Sequence, residues 1–175
     1  MTVTADQLED IFAISADRAK EYSRWLNLYM MEYEINTPLR AAAFLAQVGH
    51  ESGRFYHTEE LASGAAYEGR KDLGNTQRGD GIRFKGRGLM QITGRSNYSQ
   101  LSAYTGIDFV SHPELLLNPE FAVMSACWYW KSRNLNELAD DEKFLDITKK
   151  INGGYNGLAE REKYYHRAKK VLCWK

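Results

Sequence analysis

Glu51 is an acid in a costly position. If the segment around it is helical, Phe44, Val48 and Glu51 fall at i, i+4 and i+7 on one face, so the carboxyl closes an apolar stripe. Partial desolvation raises a carboxyl pKa, and the negative end of the helix dipole pushes the same way. Both effects favour a protonated Glu51 near neutral pH, the state a general acid needs. The plainer alternative is an exposed last-turn glutamate that only solvates the helix end. Glu59 and Glu60 follow beyond a turn containing Gly53, so a second carboxylate can face the first. Two carboxyl groups flanking one bond are what glycoside hydrolysis requires: an acid for the leaving oxygen, and a base or nucleophile across the sugar ring. Gaps of roughly 6.5 to 9.5 Å admit a water and invert the anomeric carbon, whereas about 5 to 5.5 Å leads to retention. Spacing along the chain does not fix that gap, and two acids this close in sequence are common.

Other chemistries fare worse. His50-Glu51 would start a zinc-protease motif only with histidine at position 54, where Arg54 stands. His57, His112 and His166 are scattered with no Cys/His ligand spacing, so no metal and no cofactor are expected. Cys127 lies among Trp128, Tyr129 and Trp130, a core-like setting rather than the electropositive one a nucleophilic thiol needs. Gly79-Asp80-Gly81 and Gly86-Arg87-Gly88 lack the Gly-Lys-Ser/Thr ending of a phosphate loop. Those glycines instead suit close approach of backbone to a flat ligand, with Gln91, Thr93 and Asn97 as neutral donors and acceptors; a self-satisfied turn network is the plainer reading. Asn152, in the polar turn Ile151 to Gly157, offers an amide able to read an acetamide. Arg161 then opens the last helix, where a cation can hold a carboxylate ionised or form an ordinary surface ion pair.

These residues need a scaffold, and helical signals dominate. Thr4 with Gln7 forms a capping-box pattern ahead of Leu8, Ile11 and Phe12. Ser15 caps a second helix with Tyr22, Trp25 or Leu26, and Tyr29 at helical spacing out to about Glu34. Thr37-Pro38 opens an alanine-rich helix from Leu39 to about Glu51, ended by Gly53. Further helices are expected from Tyr98 to Thr105, Phe121 to Lys131, Phe144 to Ile151 and Glu160 to Leu172, with breaks at His112-Pro113 and Asn118-Pro119. Residues 62 to 96 carry eight glycines and read as loop with short extended pieces; Ile82, Phe84, Leu89 and Ile92 allow a small hairpin. The expectation is one mainly α domain, residues 1–175, with a helical lobe (1–61 and 97–175) and a glycine-rich, partly β or loop lobe (about 62–96).

Composition bounds the function further. The 175 residues fit a single domain, and 43% hydrophobic with 13% aromatic content supplies its core. The 23 basic and 23 acidic residues cancel, which disfavours a general nucleic-acid binder. Locally the balance is −4 over residues 1 to 36, +5 over 70 to 95 and +4 over 160 to 175, so two basic segments are candidates for one cationic face. Cys127 and Cys173 exclude a multi-bridge scaffold and are read as buried free thiols. The N-terminus lacks a secretory pattern and no stretch approaches the length of a bilayer span, so a soluble cytoplasmic product without membrane insertion is expected.

Taken together, the stretches Phe44 to Gly53, Glu60, Gly86 to Tyr98, Ile151 to Gly154 and Arg161 resemble the family 19 glycoside hydrolases, the chitinase and endolysin family of the lysozyme-like superfamily. The resemblance spans roughly positions 38 to 170. It implies a lysozyme-like fold and an inverting cut of β-1,4 links next to N-acetylated sugars. Glu51 falls on the family's general acid, Glu60 on its general base and Thr93 on the residue that helps hold the attacking water. Gln91, Asn97, Tyr98 and Asn152 fall at sugar-contacting positions, and Arg161 in the carboxylate network. Glu59 adjoins Glu60, and a slip of one residue would exchange them. Lacking the cysteine pairs of secreted plant members and having Leu89 where many chitinases have proline, the chain looks like a bacteriophage or prophage endolysin. This implies a monomeric muramidase acting on peptidoglycan glycan strands. It would be held in the host cytoplasm until a holin-type partner or membrane damage releases it to the periplasm and wall. The rivals are a chitinase acting on chitin oligomers and a non-catalytic glycan-binding module.

Overall fold

The structure is a computed structural model describing residues 1–173; Trp174 and Lys175, the last members of the terminal basic run, lie outside the described residues. Nine α-helices succeed one another among the described residues: α1 (Ala5–Phe12), α2 (Ala16–Glu32), α3 (Pro38–Glu51), α4 (Asp80–Arg83), α5 (Arg95–Thr105), α6 (Pro119–Ser132), α7 (Leu135–Asp140), α8 (Phe144–Asn152) and α9 (Leu158–Cys173). Short 3-10 turns at Ala65–Tyr67, Lys71–Leu73 and Pro113–Leu117 fill the connections. No helix among the described residues is long and apolar enough to cross a membrane.

The caps fall where the sequence places them. Thr4 and Gln7 close a reciprocal capping box on α1, and Ser15 and Thr37 accept the amides of Arg18 and Arg40 at the starts of α2 and α3. α3 is the axis of the molecule. Every residue from Ala41 to Gly49 is buried, so the helix is enclosed on all sides rather than along one stripe. Small residues make that possible. A side chain on Gly49 would come within 2.2 Å of the Phe12 ring, and Ala41, Ala42 and Ala43 are all buried. α9 packs along α3, α1 and α2 close one end, and α6 contributes Trp130, edge-on to Phe44 at 5.4 Å.

Three expectations are corrected. Residues 80 to 83 form a helical turn with Ile82 exposed, so the hairpin over Ile82, Phe84, Leu89 and Ile92 does not exist. Its place is taken by two isolated antiparallel bridges, Glu59 with Arg87 and Arg87 with Ile92. Cys127 is buried as expected, but Cys173 ends α9 exposed. The basic segments are consumed in part: Arg70 pairs with Asp72, Lys85 and Arg87 with Glu59, Arg95 with Asp80, Arg161 with Glu51 and Lys169 with Glu142.

Candidate active site

Glu51 is the last residue of α3, and the chain leaves it through an unusual turn. Gly53, Arg54 and Phe55 are consecutively left-handed, with φ of 55°, 62° and 66°. Such a conformation costs a non-glycine residue roughly 1 to 3 kcal/mol and persists only where its surroundings impose it. Here they do. The Phe55 amide donates to Ser52 Oγ at 2.9 Å, the Arg54 amide to the Gly49 carbonyl at 2.7 Å, and Arg18 Nη1 to the Phe55 carbonyl at 2.6 Å. The Phe55 ring is fully buried, edge-on to Phe12 at 5.2 Å and stacked on Tyr22 at 4.9 Å. Removing a phenylalanine so buried costs about 3 to 5 kcal/mol. The first two helices therefore serve the site by fixing the turn that carries the chain from Glu51 to the next acids.

Those acids are held by the bridges. The Glu60 amide donates to the Gly86 carbonyl at 3.0 Å and the Gly88 amide to the Thr58 carbonyl at 2.8 Å, while Arg87 and Ile92 exchange both backbone bonds at 3.1 and 2.7 Å. Three short segments thus lie side by side, and the outcome is a cleft of about 290 Å³ lined by Glu51, His57, Glu59, Glu60, Leu61 and Gln91. Both candidate carboxylates open into it.

Glu59 and Glu60 diverge in their partners. Glu59 accepts from Arg87 Nε at 2.9 Å and lies 3.3 Å from Lys85 Nζ, so two cations occupy it. Glu60 accepts only the Tyr67 hydroxyl at 2.9 Å through Oε2, and its Oε1 is buried without a partner. Burial first, and the Glu60 carboxylate beside it second, push the Tyr67 phenol above its usual 10.0, so it remains a donor. Glu59 is thus engaged by two cations, whereas the Glu60 side chain meets none and keeps a buried acceptor free.

Gly86 is the hub of the base side. A Cβ there would lie 2.7 Å from Gln91 Oε1 and 3.2 Å from both Glu60 Oε2 and Thr93 Oγ1, so these three polar groups converge on the space a side chain would fill. Gln91 holds a left-handed backbone (φ 52°), its Nε2 donates to the Gly88 carbonyl at 3.1 Å, and its Oε1 is buried without a partner. Thr93 Oγ1 donates to the Gln91 carbonyl at 2.9 Å, and Asn97 Nδ2 donates to the Thr93 carbonyl at 2.8 Å. Buried side-chain polar atoms without partners are rare in folded proteins and call for a reason. Among the described residues there are four, and Glu60, Gln91 and Asn152 own three of them.

Glu51 is arranged differently. Arg161, only 1% exposed, donates from Nη2 to Glu51 Oε1 at 2.5 Å, from Nη1 to Gln47 Oε1 at 2.6 Å and from Nε to the Asn156 carbonyl at 3.1 Å. Gln47 is itself fully buried and donates from Nε2 to Thr148 Oγ1 at 2.8 Å. The apolar surroundings expected of Glu51 are therefore replaced by a guanidinium held in a fork. Gln47 and Tyr67 escaped the sequence reading. Gln47 sits one turn before Glu51 on α3, and that spacing was the available signal; nothing local marked Tyr67.

One sugar-contacting assignment is corrected. Tyr98 is fully buried, its hydroxyl donating to the Lys85 carbonyl at 2.8 Å and its ring 5.2 Å from Phe84, so it supports the bridge segment and touches no substrate. Arg161 lies buried behind Glu51 and pairs with that carboxylate, the place the resemblance gave it. Asn152, at the end of α8, and Asn97, on α5, do not line the cleft shared by Glu51 and Glu60. Cys127 is buried and its thiol is pushed well above its ordinary value by desolvation, which removes it as a nucleophile. Among the described residues no group of three or more His, Cys, Asp or Glu side chains is arranged to hold a metal.

The family model for class I chitinases, glycosyl hydrolase family 19, matches residues 33–142, a span holding Glu51, Glu60, Gln91 and Thr93. The chain belongs to the family 19 glycoside hydrolases. It is a glycosidase by that membership. A family 19 domain-containing protein of Haemophilus influenzae is 34% identical over 158 residues, covering 73% of this chain and 77% of that protein. An endochitinase of Arabidopsis thaliana is 36% identical over 115 residues, covering 65% of this chain but 38% of the plant protein, so the likeness to it concerns less than half of its length. Chitinase C of Streptomyces griseus superposes with a TM-score of 0.80 at 22% identity, over 98% of this chain and 76% of that one. A second bacterial family 19 chitinase gives the same TM-score and identity, over 98% and 95%. At that identity the structures speak for the fold, the mainly helical, lysozyme-like single domain of the family.

Proposed function

We propose that this family 19 hydrolase cleaves β-1,4 links of peptidoglycan with inversion, with Glu51 as the acid and Glu60 as the base. The observation that carries the reading is the single cleft lined by both glutamates, one backed by a buried arginine and the other with a carboxylate oxygen left free. Glu51 gives its proton to the leaving glycosidic oxygen, and Arg161 stabilises the carboxylate that remains. Glu60 takes a proton from water as its oxygen attacks the anomeric carbon from the opposite face, and exchange with solvent resets both groups. Thr93, beside Gly86, shares the placement of that water, while Gln91, which lines the cleft, offers its amide to the sugar there. Tyr67 steadies Glu60 Oε2, the oxygen on the side of Gly86 and Thr93.

Peptidoglycan is favoured over chitin by charge. Its peptide stems are anionic, and the arginines of the glycine-rich segment that lack carboxylate partners suit such a polymer. Action at the wall by a monomer, after release from the producing cell by a holin-type partner, belongs to this reading. Chitin oligomers form the second reading, favoured by the endochitinase named among the relatives. Digestion of purified murein and of chitin oligomers, followed by mass spectrometry, separates them. Muropeptides cut at a β-1,4 link are expected. Cleavage of chitin alone would overturn the substrate, and cleavage of neither would overturn the assigned reaction.

A further inference from the structure

A second cavity, of about 410 Å³, lies away from the two glutamates and has a different lining: Gln77, Arg78, Asp80, Arg83 and Arg95 from the glycine-rich segment and the start of α5, with Val110 and Ser111 across from them. Three guanidinium groups share it with a single carboxylate. That carboxylate is already used. Asp80 is 1% exposed, and it accepts Arg95 Nη2 and Nε at 2.6 and 2.8 Å and the Gln77 amide at 3.0 Å. Glu68, the other acid bound to this stretch, accepts the Gly79 and Gly81 amides at 2.7 and 2.8 Å and does not line the cavity.

Two of the three arginines are held in place before any ligand arrives. Arg83 is fixed through Nε and Nη2 on the Val110 carbonyl, at 3.2 and 3.0 Å, and through Nη2 on the Ser111 carbonyl at 3.1 Å, leaving Nη1 to spend. Arg95 is fixed on Asp80 with its guanidinium 4.7 Å from the centre of the Phe84 ring, and its Nη1 is likewise unspent. Arg78 carries no bond to any other described side chain or carbonyl. The cavity therefore holds a surplus of two positive charges, with the spare Nη1 donors of Arg83 and Arg95 set by a fixed frame and the Arg78 guanidinium uncommitted, the arrangement that recognises oxygen anions in a planar or forked geometry.

We propose that this cavity is an oxyanion-binding site that captures a carboxylate or phosphate group of a wall polymer apart from the bond being cut. It deepens the peptidoglycan reading, since stem peptides end in carboxylates and other wall polymers carry phosphate. Its test is independent of hydrolysis. The full chain is titrated at low and at physiological salt with N-acetyl-D-alanyl-D-alanine in one arm and glycerol 3-phosphate in the other, with NMR or calorimetry as the readout.

Saturable binding is expected, weakened at least about tenfold in Arg78→Gln, because a charge-assisted pair is worth roughly 1.5 to 3 kcal/mol. Arg78 makes no bond in the fold, so this variant keeps its stability, and Arg83→Gln serves as the second. The probe that binds more tightly identifies the source of the anion. No saturable binding to either probe, or undiminished binding by both variants, overturns the site. Failure of the peptidoglycan reading would show elsewhere, as intact murein after digestion by the parent protein.

Discussion

Gly86→Ala tests the base side of the cleft with one methyl group. Gly86 does not lie in the left-handed region, so alanine meets no backbone penalty there. The methyl carbon would start 2.7 Å from Gln91 Oε1 and 3.2 Å from Glu60 Oε2 and Thr93 Oγ1. Ordinary contact begins near 3.4 Å, so the glutamine oxygen must retreat by about 0.7 Å and the other two by about 0.2 Å. Gln91 can swing aside, so the fold suffers little. Crowding of roughly 1 to 3 kcal/mol is offset in part by the 0.4 to 1 kcal/mol that alanine gains over glycine through the unfolded chain. At about 2 to 4 °C per kcal/mol for a chain of this size, Tm should fall by no more than about 10 °C. Chemistry has no such slack. Misplacement by 1 Å costs up to about a hundredfold; with the methyl filling the space the three groups share and Gln91 displaced by about 0.7 Å, kcat/KM on soluble glycan fragments should drop roughly tenfold. A folded Gly86→Ala protein cleaving at the parental rate would refute the convergence of Glu60, Thr93 and Gln91 on the attacking water.

Arg161→Lys keeps the charge but not the fork that reaches Glu51, Gln47 and the Asn156 carbonyl. Hydrolysis should fall at least about tenfold and stability by about 1 to 3 kcal/mol in thermal unfolding, and parental values for both would contradict the fork. Thr93→Ala should slow turnover less than loss of either glutamate, because it affects water placement alone; initial-rate measurements decide, and a rate as low as that of Glu60→Gln would give Thr93 a larger role. Arg95 holds the Asp80 carboxyl below its ordinary value of 3.8. A depressed folded-state pKa stabilises the fold above the unfolded value, and that contribution is lost as pH falls through the folded one. Asp80→Asn should therefore be less stable than the parent at pH 7 by denaturant unfolding, with the gap closing below about pH 4; a gap independent of pH would show that the pair contributes nothing through charge.

Much of the frame is legible in the sequence because its signals are local. Thr4 with Gln7, Ser15 and Thr37-Pro38 each satisfy amides within three residues, so cap and helix are read together. The glycine-rich segment is not legible in this way. Ile82 and Phe84 alternate as a strand would, yet the backbone turns helically from Asp80 because Arg95, distant in sequence, takes the Asp80 carboxylate, while Glu68 binds the Gly79 and Gly81 amides. Asn97 and Tyr98 show why a motif names positions without orienting them. They are neighbours on α5, about 100° apart around the helix, and only Tyr98 faces the core. Gln47 shows a related limit: its place one turn before Glu51 points to the site, but on a helix buried on every side the same spacing also suits a packing position.

The most direct test is turnover by Glu51→Gln, a near-isosteric replacement that retains a carbonyl oxygen for Arg161 and has no proton to give. Measured on the substrate the parent digests, with circular dichroism confirming the fold, its rate should fall by about a hundredfold or more. A folded Glu51→Gln protein that releases products as fast as the parent would remove Glu51 as the acid, and with it the two-glutamate mechanism.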